Sequence, residues 1–179
     1  MRPLLDALKS GTMTLPGKDG RDYVVRPIAP TDAPSLIRGY DAMTDRGKWF
    51  RLLYTVPHLS EDMAKQFCAP NLVDEVCAVV DGTDDLDGEI LGGARVMGIG
   101  DGMSPEFSVS LRPEARGLGL ARGTLELVID IAREAGSKDV WGSIAAENAA
   151  MLGLAERIGF SIKRDPDDFR LRKAVLPLN

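Results

Sequence analysis

An α/β (α+β) fold is predicted from two stretches of this chain. Residues 106–124, EFSVSLRPEARGLGLARGT, pass from a two-residue apolar period (Phe107, Val109, Leu111) through Pro113 and a glycine-containing turn. A helical period follows in Leu120, Leu125, Val128, Ile129 and Ala132, so the stretch reads as strand, turn, helix. Upstream, residues 75–81 (EVCAVVD) and 89–98 (EILGGARVMG) read as two antiparallel strands. Their connection, residues 82–88, is a solvated acidic turn rather than a metal site.

The remaining elements follow in order. Residues 1–20 form an N-terminal extension, with a helical turn at Leu4, Leu5 and Leu8, then Gly11, Pro16 and a Lys18-Asp19-Gly20 turn. Residues 21–179 form a single domain. It begins with a strand over residues 22–28, and Thr31-Asp32 offers an N-cap to a helix carrying Leu36, Ile37 and Tyr40. Residues 43–55 hold Trp49, Phe50, Leu52, Leu53 and Tyr54, either the wall or lid of a small-molecule pocket or plain core packing. Ser60 heads a helix that runs to Cys68. After a Gly- and Asp-containing loop over residues 98–105 come the strand at Glu106, a helix over 121–134 stopped by Gly136, and a strand over 139–145. A helix over 148–158 ending at Gly159 and a strand over 169–176 complete the order.

Composition excludes several functions. The 179 residues, 44% hydrophobic and 27% charged, suit one domain with a sizeable core. No apolar run approaches the roughly 20 residues of a membrane span, and MRPLLDALKS is no signal peptide, so a cytoplasmic protein without a membrane partner is expected. The net charge of −5 argues against nucleic acid and mildly favours cationic partners. Cys68 and Cys77 are too few for a disulfide framework, and His58, the only histidine, lies in a turn; no metal is expected.

The turn at residues 116–122 is the candidate binding loop. A helix start has unpaired N–H groups and the positive end of the helix dipole, and Gly117 and Gly119 leave those amides unshielded between Arg116 and Arg122. An isolated pair of glycines is also consistent with a turn that holds nothing. A Walker loop is ruled out by the missing Gly-Lys, and a dinucleotide fingerprint by Arg122 where a small residue is needed. What fits is Arg-x-x-Gly-x-Ala from Arg116 to Ala121. There the sequence resembles the GNAT superfamily of N-acetyltransferases, whose acetyl-CoA loop has this pattern, and Asn148-Ala149-Ala150-Met151 through Ile158-Gly159-Phe160 resembles the family's later cofactor motif. Further features, among them Arg26-Pro27-Ile28, Asp32-Ala33, Phe50-Arg51, Asp74 and Glu106-Phe107, are similar to the catalytic domain of bacterial Pat-type protein lysine acetyltransferases.

The resemblance implies a GNAT fold: a central mixed, mostly antiparallel twisted sheet of six to seven strands flanked by about four helices. It implies acetyl-CoA as co-substrate, held by Val109, Leu111, Arg116, Gly117, Leu118, Gly119, Leu120, Ala121, Arg122, Asn148 and Met151, with Asn148 also capping its helix. Arg112 is weighed as a phosphate contact or a solvated side chain. The acceptor is a primary amine, a protein lysine first and a small amine such as a polyamine second; a non-catalytic acyl-CoA-binding module and a homodimer stay open. An amine with a pKa near 10.4 must shed a proton before it attacks a thioester, and Glu106 is the candidate base. The family's usual tyrosine acid is matched by Ala155, which leaves water or no acid in that role.

Overall fold

Residues 2–54 and 56–178 are described in the computed structural model. The ends of the extension (Met1), of the aromatic run (Thr55) and of the domain (Asn179) lie outside the described residues. In chain order the elements are α1 (Pro3–Lys9), β1 (Met13–Pro16), β2 (Asp22–Pro27), α2 (Ala33–Asp41), α3 (Asp45–Leu52), α4 (Glu61–Phe67), β3 (Glu75–Asp81), β4 (Ile90–Met97), β5 (Glu106–Leu111), α5 (Leu120–Glu134), β6 (Asp139–Ala145), α6 (Ala149–Ile158), β7 (Ser161–Arg164) and β8 (Leu171–Pro177). The strands form one sheet in the order β1-β2-β3-β4-β5-β6-β8-β7, antiparallel throughout except for the parallel pair β5/β6.

The class is the expected one, but the sheet has eight strands rather than six or seven and six α-helices flank it rather than about four. Short elements make the difference. β1 spans four residues and is fixed by pairing with β2, and β7 spans four residues paired with β8; neither is long enough for a period to show. α1 buries Leu5 and Leu8 in the main core, so the extension is packed into the sheet's helical face. α3 occupies the aromatic run and has no fully buried residue; Trp49 and Phe50 are half-buried, and Leu52 packs against the second core.

The sheet is covered on both faces. Val76, Ala78, Val80, Val96 and Phe107 meet α1 and α5 in one core. Cys77, Val79 and Ile90 meet residues of α2 and α4 in a second. Local capping follows the sequence at Ser60, whose hydroxyl accepts from Met63 N–H at 3.2 Å, and at Asn148, whose Oδ1 accepts from Met151 N–H at 3.2 Å. Asp32 departs from its expected capping role. Its carboxylate turns back to accept from Arg26 (2.8 Å to each oxygen) and from Ala29 N–H at 2.7 Å, which ties β2 to the start of α2.

The feature that positions the site is the parallel pair. β5 and β6 share a single rung, Glu106 opposite Trp141, and diverge beyond it. Trp141 N–H donates to Pro105 C=O at 3.0 Å and its indole Nε1–H to Ser104 C=O at 3.1 Å. Phe107 sits against the neighbouring Gly142, where a Cβ would fall 2.6 Å from its ring, and meets Phe160 with centroids 4.9 Å apart. Gly142→Ala is therefore expected to destabilise the fold by about 1–3 kcal/mol through overpacking, with the loss reduced in the Gly142→Ala/Phe107→Leu pair. Urea unfolding measures both; an undiminished loss in the pair would show that the ring contact is not the cause.

Candidate functional site

The alternation of β5 divides its residues between two environments. Arg112 N–H, directly after the strand, donates to Leu91 C=O at 2.8 Å. By the two-residue period, the backbone groups of Ser110 and Ser108 also face β4, whereas those of Val109 and Leu111 face β6. Because β6 has already turned away, the Val109 and Leu111 backbone groups line a wedge between the strands. Buried backbone polar groups need partners, so an extended ligand bearing amides fits this wedge.

At its end β5 delivers the glycine turn. Gly117 and Gly119 have φ of 81° and 85°, a left-handed conformation costly for other residues. The first backbone bond of α5 is from Gly123 N–H to Gly119 C=O, which leaves the amides of the first turn facing outward. A Cβ at Gly117 would meet nothing, so the space before these amides is open, and the same turn is braced from behind by Lys18 N–H donating to Leu118 C=O at 3.0 Å. The cradle thus fits a phosphate-bearing ligand. Arg116 is exposed at its edge, while Arg122 donates to Glu126 at 2.8 Å along the helix. Leu120 is buried beneath; Leu118 and Ala121 are half-buried.

Arg112 takes no part in this cradle. It is buried on the opposite face, where it donates to Ile90 C=O and Ser35 C=O at 2.9 Å each and pairs with Glu89. Its sequence neighbourhood suggested phosphate, but strand alternation sends it the other way. Asn148 and Met151 stand at the start of α6, and Ala155 is fully buried with no polar group to offer. Among the described residues no group of three His, Cys, Asp or Glu side chains could hold a metal, and burial pushes the Cys68 thiol up to about 11 and raises that of Cys77. Among the described residues no helix is long and apolar enough to cross a membrane.

Glu106 stands at the rung where the wedge begins. Its side chain shares a face with Ser108 and Ser110, on the α2–α4 side of the sheet. It is half-buried, no charged partner acts on it, and burial alone raises its pKa above the ordinary carboxylate value. On the same face a cavity of about 390 Å³, counting its opening to solvent, runs between β4, β5 and α2–α3 and is lined by Arg51, Arg95, Ser108 and Ser110 among others. The sequence offered Arg51 only as part of a family pattern; nothing local marks it as facing a cavity.

Residues 23–161 match the acetyltransferase (GNAT) domain family. The chain belongs to the GNAT acetyltransferases. A Pseudomonas aeruginosa acetyltransferase is 25% identical over 150 residues, 84% of this chain and 81% of that protein. Among solved structures, the GNAT domain of S. lividans PAT superposes with a TM-score of 0.80 at 24% identity, over 92% of this chain and 96% of that one. The Salmonella typhimurium acetyltransferase yncA, solved with acetyl-CoA, gives 0.64 at 23% identity over 88% and 94% of the two chains. The Vibrio cholerae spermidine N-acetyltransferase, solved with CoA and spermine, gives 0.69 at 18% over 87% and 95%. These likenesses establish the fold of this acetyltransferase.

Two outcomes test the site. Gly119→Glu places bulk, negative charge and a strained left-handed residue at the cradle, so calorimetry should register weakened CoA binding while circular dichroism stays native; unchanged affinity would remove the cradle from consideration. For Glu106 the sign follows from its raised pKa. Below the ordinary value both folded and unfolded chains hold the proton, and as pH rises through the raised value ionisation costs stability. Glu106→Gln should therefore melt higher than the parent at neutral pH and no higher at about pH 3.5; a lower melting temperature at neutral pH would show that the carboxylate is stabilised.

Proposed function

We propose that residues 21–179 form an acetyl-CoA-dependent N-acetyltransferase domain that transfers acetyl directly to a primary amine, with Glu106 as general base. The observation that carries the proposal is the unpartnered carboxylate of Glu106 at the single rung where β5 and β6 part. The wedge supplies Val109 and Leu111 backbone groups for the pantetheine arm. Gly117 to Arg122 supply amides for the pyrophosphate, with Arg116 beside them, and Asn148 and Met151 border the arm from α6. The acetyl-CoA that yncA binds supports this reading, as does the CoA in the spermidine enzyme.

Acetyl-CoA supplies the activated carbonyl. This chain's part is to hold it beside the acceptor and to take a proton. An acceptor amine arrives as an ammonium; Glu106, directly or through a water, removes one proton so that the nitrogen lone pair can attack. The N–C bond forms as the C–S bond breaks, the second proton passes from the new amide nitrogen to the departing thiolate, and Glu106 returns its proton to solvent. A raised pKa suits the task, because a base nearer neutrality accepts a proton from an ammonium at less cost than an ordinary carboxylate. Leu111 N–H, facing the wedge, is placed to stabilise the carbonyl oxygen. Ala155 provides no acid, and a thiolate with a pKa of about 8.5 leaves without one.

Protein lysine is the acceptor that the Pat resemblance implies, and spermine in the V. cholerae enzyme supports a small polyamine. The arginines that line the cavity beside Ser108 and Ser110 favour neither.

Glu106→Gln keeps size and hydrogen bonding but cannot take a proton. The expected loss in kcat is about 10²–10⁴-fold with CoA affinity retained. The parent rate should rise with pH along a limb that starts above the ordinary carboxylate range, and this limb should vanish in the variant while that of the amine remains. Turnover at the parental rate across the profile would show that another group takes the proton.

A further inference from the structure

The acceptor-side cavity holds an uncompensated cation. Arg51, from α3, is half-buried and borders the cavity. It lines both the part beside Ser108 and Ser110 and the adjoining part beneath Tyr40. The other guanidiniums here are satisfied: Arg95 pairs with Glu75 and donates to Phe67 C=O, and Arg112 pairs with Glu89. Arg51 is not: among the described residues no carboxylate or backbone carbonyl partners it, and the groups that act on it are the thiols of Cys77 and Cys68, the Tyr40 phenol and the like charge of Arg95. Burial, the largest influence, works against its charge, and Arg95 adds to that.

An unpaired guanidinium in a low-dielectric cavity is costly, and an anion with two oxygens matches its planar fork. Glu106 supplies the complementary half. It is the unpartnered anion on the same face of β5, two residues from Ser108 and so about 7 Å along the strand. On this face Arg51 lies in the cavity's lining, and Glu106 lies outside that lining, at the end of the strand where β5 meets β6. A polyamine or the side chain of a lysine in a basic peptide would bring its charge towards Arg51 with nothing to offset it.

We propose that the acceptor is a small zwitterionic amine, amino-acid-like in chemistry, whose carboxylate is bound by Arg51 while its amine faces Glu106. The proposal rests on the acetyltransferase reading above and names the substrate class of that same site. The reaction is unchanged: the amine nitrogen takes the acetyl carbon as the C–S bond breaks, one ammonium proton ends on the thiol, and one leaves through Glu106. Arg51 touches only the carboxylate and fixes which amines are accepted.

The test uses the full chain with acetyl-CoA and CoA release as readout. Acceptors are a set of free amino acids, the same amino acids as carboxamides, spermidine and a lysine peptide. The free acids should exceed their amides in kcat/KM by about 10- to 100-fold, the worth of a charge-assisted hydrogen-bonded contact. Arg51→Gln should erase that preference through KM and melt no lower than the parent; Arg51→Lys should restore part of it. A parallel calorimetric titration of N-acetyl amino acids against their amides, into the protein with CoA, should favour the acids and lose that preference in Arg51→Gln. Equal use of acids and amides, preference for spermidine or the peptide, or a preference that survives Arg51→Gln would overturn the proposal while leaving the acetyltransferase reading standing. CoA release with no acceptor would count against that reading instead, and the calorimetric preference would then decide the role of Arg51 alone.

Discussion

Much of this structure depends on a parallel pair of strands that touch once. A continuous β5/β6 ladder would consume the backbone groups of Val109, Leu111, Ser143 and Ala145 in the sheet, and nothing polar would remain for an extended ligand. The single rung is held by the two Trp141 donors to Pro105 and Ser104 and by the room that Gly142 leaves for Phe107. Below it the sheet is continuous and both faces are packed. Above it the strands part, and the same chain that leaves the sheet turns through Gly117 and Gly119 into the longest helix, so wedge and cradle are contiguous by construction.

The alternation of β5 then separates two kinds of chemistry on a single strand. Odd-numbered residues from Phe107 onwards give their side chains to the α5 core, and beyond the rung Val109 and Leu111 give their backbone to the wedge. Even-numbered residues, Glu106, Ser108 and Ser110, with Arg112 just beyond, face α2–α4. Most charges on that side are neutralised: Arg26 by Asp32 and Asp81, Arg95 by Glu75, Arg112 by Glu89. Pairing offsets much of the cost of burying those charges, whereas a lone buried charge is expensive, and among the described residues Glu106 and Arg51 border this side without an ionic partner. The fold retains them on the face that the proposed reaction would use.

Legibility in the sequence tracked how local each cause was. The strand at Glu106–Leu111, the helix to Glu134, the strand Asp139–Ala145 and the caps Ser60 and Asn148 could all be read, because period and capping chemistry are properties of neighbouring residues. The glycine turn and its place before a helix were legible for the same reason. The short strands β1 and β7 were not, since four residues carry no usable period and form only because β2 and β8 offer edges. α3 was hidden within an aromatic run whose side chains settle at half-burial.

The sequence by itself therefore determined the order of the principal elements, the anion-binding turn, and the candidacy of Glu106 at the head of its strand. Tertiary structure alone decided that β5 and β6 diverge after one rung, that residues 2–20 brace the turn and enter the core, that Arg112 is spent on Glu89, and that Arg51 has no carboxylate or backbone-carbonyl partner among the described residues. The reason is physical. Periodicity, caps and turns are set by contacts within a few residues, whereas the partner of a charge and the neighbour of a strand come from segments tens of residues away, chosen by how the whole sheet packs.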